Sequence, residues 1–438
     1  MSGASGLLSL FLQSYLGFFD AVRVVFTSGG WVVLVPLFFA ALFQLYLEII
    51  RRKYVTSLQW VFLRVRVPEA NLRTPRSMEE LFNGLHGLQK PPDLIERYLD
   101  GYVQTWVSLE LRGTADGVFF LLRVPAGNRD IAEATMYAQY PDAEIEEVPD
   151  YAAPFTLDRL EKEFDIWGTE MILTREDAYP IKTYVDYEDQ FAEDSRLVDP
   201  MAAMTEFAGA LKPGEEIWIQ MLIRPVFRED WVEEGMRLAL EISGREPPDE
   251  PTKVRKAFQL LGRALTVITT LGPAPGPEEK EEKLSLGALR LTPGETDVVR
   301  AIQRNVSKVA YEAKIRILYA APLPVYNRRA RIPQLFGMFR QFSSFHLNSF
   351  RPDSRISTSR PVYGLVRMRQ RYRKRRLLQK YRARFFREKG FVLNVEEIAT
   401  IYHFPLEYVK TPTVERARAK RGEAPTNIPL ASEELPLA

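Results

Sequence analysis

The stretch VQTWVSLELRGTADGVFFLLRV, residues 103–124, decides the fold class. Val103, Val107, Leu109 and Leu111 alternate with Gln104, Ser108, Glu110 and Arg112, the period-two pattern of a strand with one buried face. Gly113–Gly117 supplies a turn and Val118–Val124 returns, so the segment reads as an antiparallel hairpin. On its N-terminal side, Val61, Leu63, Val65 and Val67 share one face of a strand, with Arg64 and Arg66 on the other. Ser77-Met78-Glu79-Glu80 reads as a capping box for a helix with Met78, Leu81, Phe82 and Leu85 on one side. On the C-terminal side a helix over 129–139 and a strand over 143–148 complete the order β-α-β-β-α-β. That is the ferredoxin-like arrangement, with helices on one face of an antiparallel sheet.

The order returns downstream. A strand is expected around 170–174. Asp199-Pro200 then reads as an N-cap followed by proline, opening a helix striped with Met201, Met204, Phe207 and Leu211. Lys212-Pro213-Gly214 stops it, a strand follows over 216–223 and a helix over 229–243. Residues 245–291 read as an insertion: PPDEP (247–251) and PAPGPEEKEEK (273–283) have linker composition around an amphipathic segment, 254–271. Thr292-Pro293-Gly294-Glu295 is a second capping box for a helix through Val309. A strand over 314–320, a helix over 331–342 and a strand within 345–350 close the repeat. The predicted class is α+β, with two tandem ferredoxin-like domains at 56–152 and 153–360.

Ahead of them lies WVVLVPLFFAALFQLYLEII, residues 31–50, whose one charge is Glu48. At ~1.5 Å per residue it is about 30 Å long, the depth of a hydrocarbon core. Trp31 and Tyr46 are placed like interfacial aromatics, Pro36 is tolerable in a membrane helix, and Arg51, Arg52 and Lys53 follow as a stop-transfer cluster. Residues 1–55 are therefore expected to form a single-pass anchor in the inner (cytoplasmic) membrane, with the remainder in the cytoplasm. Leu7–Phe19 reads as an in-plane interfacial helix. A two-span hairpin and a buried core helix are the alternatives.

The 438 residues contain no cysteine, which excludes disulfides, thiol catalysis and cysteine-ligated metals. His86, His346 and His403 are far apart and outside any metal-binding spacing, and His403 reads as a packing or capping residue. No GxxxxGK[ST] or GxGxxG occurs; LTPGETD (291–297) lacks the second glycine and the lysine. No catalytic, cofactor-binding or metal-ligating residue is assigned, and no enzymatic activity or cofactor is expected.

Charge is unevenly spread. Residues 367–389, RMRQRYRKRRLLQKYRARFFREK, carry twelve Lys/Arg and one Glu, a local balance of +11 in a chain of net +2. Arg371, Arg373, Lys374, Arg375, Arg376, Lys380, Arg382 and Arg384, interleaved with Tyr372, Tyr381, Phe385 and Phe386, suit a phosphate backbone with base stacking. The same residues suit anionic lipid or an acidic protein surface, and a solvated connector helix packed through Leu377, Leu378, Tyr381 and Phe385 remains the plain alternative. Residues 361–410 are expected to form a basic helical connector, with Asn394-Val395-Glu396-Glu397 capping a short helix, and 411–438 a flexible tail.

Three blocks carry a family resemblance: WVFLRVRVPEANLRTPRSMEELFNGLHG (60–87), MYAQYPDAEIEEVPDY (136–151) and FVLNVEEIATIYHFP (391–405) followed by VKTP (409–412). Their order and spacing resemble the region after the membrane anchor in bacterial coupling-protein-like type IV secretion ATPases. In that family a RecA-like motor follows the connector, whereas this chain reaches Ala438 near where the motor would begin. The resemblance implies a membrane-anchored, non-motor subunit of a conjugative DNA-transfer system. Its partners would be the membrane, a separately encoded ATPase, DNA or further copies of itself. The competing reading is a membrane-associated nucleic-acid-binding protein that uses 367–389 directly.

Overall fold

The computed structural model describes residues 31–68, 71–187, 199–244, 291–359, 364–386 and 389–406, together with Asp20, Arg23 and Thr27; the side chains of 31, 33, 34 and 228–230 are excepted. The expected interfacial helix at 7–19, the insertion expected over 245–291 apart from Leu291, and the tail expected over 411–438 lie outside the described residues.

The framework is one antiparallel sheet of nine strands. These are β1 (Trp60–Arg66), β2 (Val107–Thr114), β3 (Gly117–Pro125), β4 (Glu144–Glu147), β5 (Phe164–Leu173), β6 (Glu216–Pro225), β7 (Ala310–Pro322), β8 (Phe350–Pro352) and β9 (Phe391–Asn394). The spatial order is β4-β1-β3-β2-β6-β7-β5-β8, with β9 paired to the start of β7. The first four strands stand in one order and the next four in the same order read from the opposite end. The two sets meet where β2 pairs with β6 from Val107↔Ile223 to Thr114↔Glu216.

The residues expected as two tandem domains, 56–152 and 153–360, contribute strands to one continuous sheet. Alone, each half would leave β2 or β6 as an open edge of unpaired N–H and C=O groups, and pairing the two edges removes both. Trp60–Gln89 and Thr105 onward form one compact unit containing the whole sheet.

Period two sorts the side chains. Leu63, Val65, Leu109, Leu111, Phe120, Leu122, Ile217, Ile219, Ile315 and Ile317 point to one face and join a single large core. Over it lie α2 (Pro75–Leu85), α4 (Arg129–Gln139), α5 (Ala202–Gly209), α8 (Arg328–Arg340) and α10 (Val395–Ile401), contributing Phe82, Met136, Phe207, Leu335 and Ile398 among others. A helix pair, α6 (Arg228–Ile242) with α7 (Pro293–Ser307), has a small core of its own around Trp231, Leu238, Ile302 and Val306. The opposite face of the sheet is covered too. There Ile166, Trp218, Leu318 and Ala320 pack against Leu377, Leu378 and Tyr381 of α9 (Val366–Ala383). Gly168 allows this approach: a Cβ there would sit 2.6 Å from the Ile317 carbonyl oxygen and 2.8 Å from Leu377 Cδ2.

Two of the expected capping boxes hold. Thr292 with Glu295, and Asn394 with Glu397, form complete capping boxes. The box expected at Ser77–Glu80 does not form: α2 starts at Pro75 after Thr74, because proline suits the first helical position. Glu80 accepts from Asn83 Nδ2 at 3.3 Å instead, and the neighbouring Glu79 accepts from Tyr184 and Lys308. The connector expected as helix alone is α9 followed by β9 and α10, the last two built into the sheet and the main core.

Residues 1–59 and 90–104 form a second compact unit. Its described elements are α1 (Trp31–Ser57) and α3 (Leu94–Tyr98). Among the described residues no helix is long and apolar enough to cross a membrane. α1 runs on unbroken through Arg51-Arg52-Lys53, and Glu48 pairs with Arg52 at 2.8 Å.

One buried acid predicts a pH dependence. Glu397 of α10 accepts from the N–H groups of Ile181 (2.9 Å) and Asn394 (2.8 Å). Burial outweighs these bonds, and with Glu396 and Asp177 nearby its pKa is pushed up to about 8. The folded state then holds a proton that the unfolded chain releases near pH 4.3. Stability should fall as pH rises from 5 to 8, by up to ~1.4 kcal/mol per pH unit from this group. The carboxylates held below their ordinary range, such as Asp199 and Glu396, act only at lower pH. Urea midpoints should show a shallower decline for Glu397→Gln than for the unaltered protein.

Candidate functional site

The basic segment forms α9, and its inward stripe is set by helical spacing. Lys374, Leu377, Leu378 and Tyr381 stand at i, i+3, i+4 and i+7, and all four are buried. The helix ends at Arg384, whose backbone is left-handed at φ 49°. A non-glycine residue there is disfavoured by about 1–2 kcal/mol. Its side chain supplies the compensation.

Arg384 turns back under the helix into a polar rung that crosses four strands. The register places Glu110 of β2 opposite Gln220 of β6, Gln220 opposite Arg316 of β7, and Arg316 opposite Glu170 of β5. Arg384 donates to Glu110 from Nε at 2.7 Å, and to both Asp150 oxygens at 2.7 and 2.8 Å. Glu110 also accepts from Tyr151 (2.8 Å), Ser108 (2.5 Å) and Gln220 (3.0 Å). Arg316 donates to Glu170 and to Gln220, each at 2.9 Å. The last carbonyls of α9 are served from below: Arg316 donates to Lys380 O (3.2 Å) and Gln220 to Tyr381 O (3.1 Å). Cations at the carbonyl end of a helix also complement its dipole. Burial opposes the Arg384 charge, but Glu110, Tyr151 and Asp150 outweigh it and hold its pKa well above the ordinary value. The buried hydroxyls of Tyr151 and Tyr381, 2.5 Å apart, are pushed up by burial.

This arrangement redistributes the eight basic residues singled out in the sequence. Arg384 and Lys374 are structural: Lys374 donates to Asp165 at 2.6 and 2.8 Å and to Glu161 at 3.2 Å. Lys380 lies 3.6 Å from Glu170. Arg373 donates to Ser357 O and Arg375 to Leu157 O, which straps the helix to its surroundings. Arg371 pairs with Glu161 at 3.3 Å yet stays largely exposed, Arg376 is exposed, and Arg382 is half-buried. The outer face of α9 is thus Arg367, Met368, Arg369, Arg371, Tyr372 and Arg376. Beside it runs a groove of about 410 Å³ between Arg355-Ile356 and the first turns of α9. Its walls combine Ile356, Leu365, Met368 and Tyr372 with Arg355, Arg369, Arg373 and Arg376. Such a groove suits an anionic ligand with an apolar or aromatic part.

The anchor residues lie in the other unit. Pro36 and Tyr46 are exposed on α1, Tyr46 stacking on Phe43 with ring centroids 6.4 Å apart. Arg52 and Lys53 are exposed and Arg51 half-buried; the Trp31 side chain lies outside the described residues. Val35, Leu37, Phe38, Phe39, Leu42, Phe43 and Leu45 are all exposed.

His403 is fully buried. Its ring nitrogens lie 2.9 Å from Ala399 O and from Asp199, so it packs and caps as expected. Asp199, expected as an N-cap, precedes the helix, whose N-cap is Met201, and accepts from the N–H groups of Met201 (2.7 Å) and Leu406 (2.9 Å). Burial works against its charge, but His403 and these N–H groups hold its pKa low. Among the described residues no group of three or more His, Asp or Glu could hold a metal ion.

Glu110, Gln220, Arg316 and Glu170 were not anticipated, because alternation assigns them to the solvent face, and Asp150 lies in the loop after β4. The available signal was in their neighbours: β6 and β7 place Trp218, Leu222, Leu318 and Ala320 on that same face.

A family model described as a domain of unknown function, DUF8128, matches residues 52–417. No curated protein matches the chain. With the match covering most of its length, the chain belongs to the DUF8128 family.

Proposed function

Taking that membership as the premise, we propose that the chain is a non-catalytic, membrane-anchored subunit of a type IV secretion or conjugative DNA-transfer system. It would hold a separately encoded ATPase, or its cargo, at the cytoplasmic face of the inner membrane. The observation that carries the reading is α1. Its apolar side chains lie exposed over Val35–Leu45, and the basic cluster Arg51-Arg52-Lys53 follows directly. Large contiguous apolar exposure marks a membrane or partner contact, and cations at its end suit anionic head groups. The strand order supports reading each half of the sheet as a ferredoxin-like unit, the two fused edge to edge into a broad platform. The resemblance of 60–87, 136–151 and 391–412 to coupling-protein-like ATPases supplies the system. The test is recovery of the full-length chain from detergent-solubilised membranes, followed by peptide mass spectrometry. A second polypeptide carrying a phosphate loop should be present in near-stoichiometric amount. Recovery of this chain alone would remove the reading.

The outer face of α9 favours a second reading, direct binding of single-stranded DNA. Arg369, Arg373 and Arg376 line the groove together with Tyr372, which is 63% exposed and open to stacking. Replacing Arg367, Arg369, Arg371 and Arg376 by Gln spares Lys374 and Arg384, which hold the helix. In fluorescence anisotropy titrations the unaltered protein should show a steep salt dependence. The variant's log–log salt slope should be smaller by about 3, at ~0.7 per lost phosphate contact on a single strand. An unchanged slope would dismiss this reading.

A further inference from the structure

We propose that the groove beside α9 receives an acidic amphipathic helix of a partner protein. The partner's apolar stripe would lie on Leu365, Met368 and Tyr372, and its carboxylates on the arginines that flank them. The inference deepens the first reading above, on which it rests for the existence of a partner, by assigning the surface that holds it.

The groove is built before any partner arrives. One wall is α9, and the other is the segment after β8 that carries Arg355 and Ile356. That segment is tied to the sheet: the Thr358 N–H donates to Gly168 O at 3.0 Å, and the Gly168 N–H to Thr358 Oγ1 at 2.9 Å. It is tied to α9 as well, where Gln370 Nε2 donates to Thr358 O at 3.1 Å and Arg373 to Ser357 O at 3.0 Å. Walls fixed in this way spare a ligand the cost of ordering them.

Helical spacing arranges what the groove offers. Leu365, Met368 and Tyr372 stand at i, i+3 and i+7, and are 72%, 66% and 63% exposed. Arg369, Arg373 and Arg376 accompany them at i+4, i+8 and i+11. At 1.5 Å per residue the run from 365 to 376 is about 17 Å long, roughly three turns. Anchors at this spacing are how one helix reads another, and charges beside such a seam select the partner. No carboxylate lines the groove, and the sequence has no Asp or Glu from 354 to 387. A second copy of α9 would therefore meet like charge. A single strand of DNA would use the arginines and Tyr372 but leave Leu365 and Met368 in water. A flat lipid surface does not enter a groove walled on both sides. An acidic helix with an apolar stripe meets the cations and covers the aliphatic groups together.

The probes are fluorescent synthetic helices of three heptads. The first carries Leu at the first and fourth positions of each heptad and Glu or Gln elsewhere. The second has the same composition with its leucines spread around the helix, and the third has Lys in place of Glu. Anisotropy titrations with full-length protein in detergent, against empty micelles, should show the first bound at least about tenfold more tightly than the other two. Leu365→Ser with Met368→Ser keeps every arginine and the buried stripe that holds α9, and should weaken the first helix by at least about tenfold. Arg369→Glu with Arg376→Glu should reverse the preference, favouring the Lys helix. Equal binding of the first two helices, or no loss in the Leu365→Ser, Met368→Ser variant, would overturn the inference by showing attraction through charge alone. Tighter binding of oligodeoxythymidine than of the first helix would overturn it in favour of the second reading. The ATPase takes no part in these titrations, so either result leaves the co-purification test of the first reading standing.

Discussion

Replacing Arg384 by alanine is expected to lower the unfolding free energy by about 3–5 kcal/mol, the effect of stranding one partner of a buried ion pair. Glu110 would remain fully buried, with Ser108, Tyr151 and Gln220 as donors but no cation hydrogen-bonded to it. Asp150 would lose two bonds, and the left-handed turn at the end of α9 would lose the side-chain contacts that stabilise it. Against a total of roughly 5–15 kcal/mol for a domain, this is a large fraction. Urea unfolding followed by tryptophan fluorescence is the natural measurement. Trp106 donates to Arg384 O at 2.8 Å, and Trp218 packs on Tyr381 with ring centroids 5.3 Å apart. Glu110→Leu combined with Arg384→Met should cost less than the sum of the two single changes, because no buried charge is then left unpaired. A loss below about 1 kcal/mol for Arg384→Ala, the scale of an exposed pair, would show that the rung does not hold α9.

The second large effect concerns α1. Changing Phe38, Phe39, Leu42 and Phe43 together to Ser should release the protein from membranes. Each of these side chains is between 44% and 63% exposed within its own unit. Fully burying one such group is worth ~1.5–3 kcal/mol, so four that are about half exposed supply roughly 3–6 kcal/mol of membrane affinity. That matches or exceeds what the basic cluster contributes at about 1 kcal/mol per charge near an anionic surface. Vesicle flotation should find the unaltered chain with lipid and the variant at the bottom of the gradient. A variant that still floats would place the membrane affinity elsewhere.

What could be read in the sequence was what is decided locally. The 103–124 hairpin lies where alternation puts it, with β2 starting at Val107 and β3 at Gly117. The helix over 129–139 and the boxes at Thr292 and Asn394 depend on residues three or four apart and were equally legible. The merging of two halves into one sheet was not. It depends on β2 and β6 sharing a register from Val107↔Ile223 to Thr114↔Glu216, across about a hundred residues of chain. Alternation also misled at Glu110 and Arg316, because it reports one covered face and α9 covers the other. The burial of Lys374 could have been read: it shares the helical phase of Leu377, Leu378 and Tyr381. That of Arg384 could not, since its position follows from a left-handed turn beyond the helix.

The central claim is that this chain holds and positions while another polypeptide spends ATP. It is tested most directly by ATP turnover in full-length protein purified from native membranes in detergent, measured before and after high-salt stripping of bound partners. The account predicts that turnover leaves with the stripped fraction and returns when that fraction is added back. Turnover that stays with the stripped chain would contradict it.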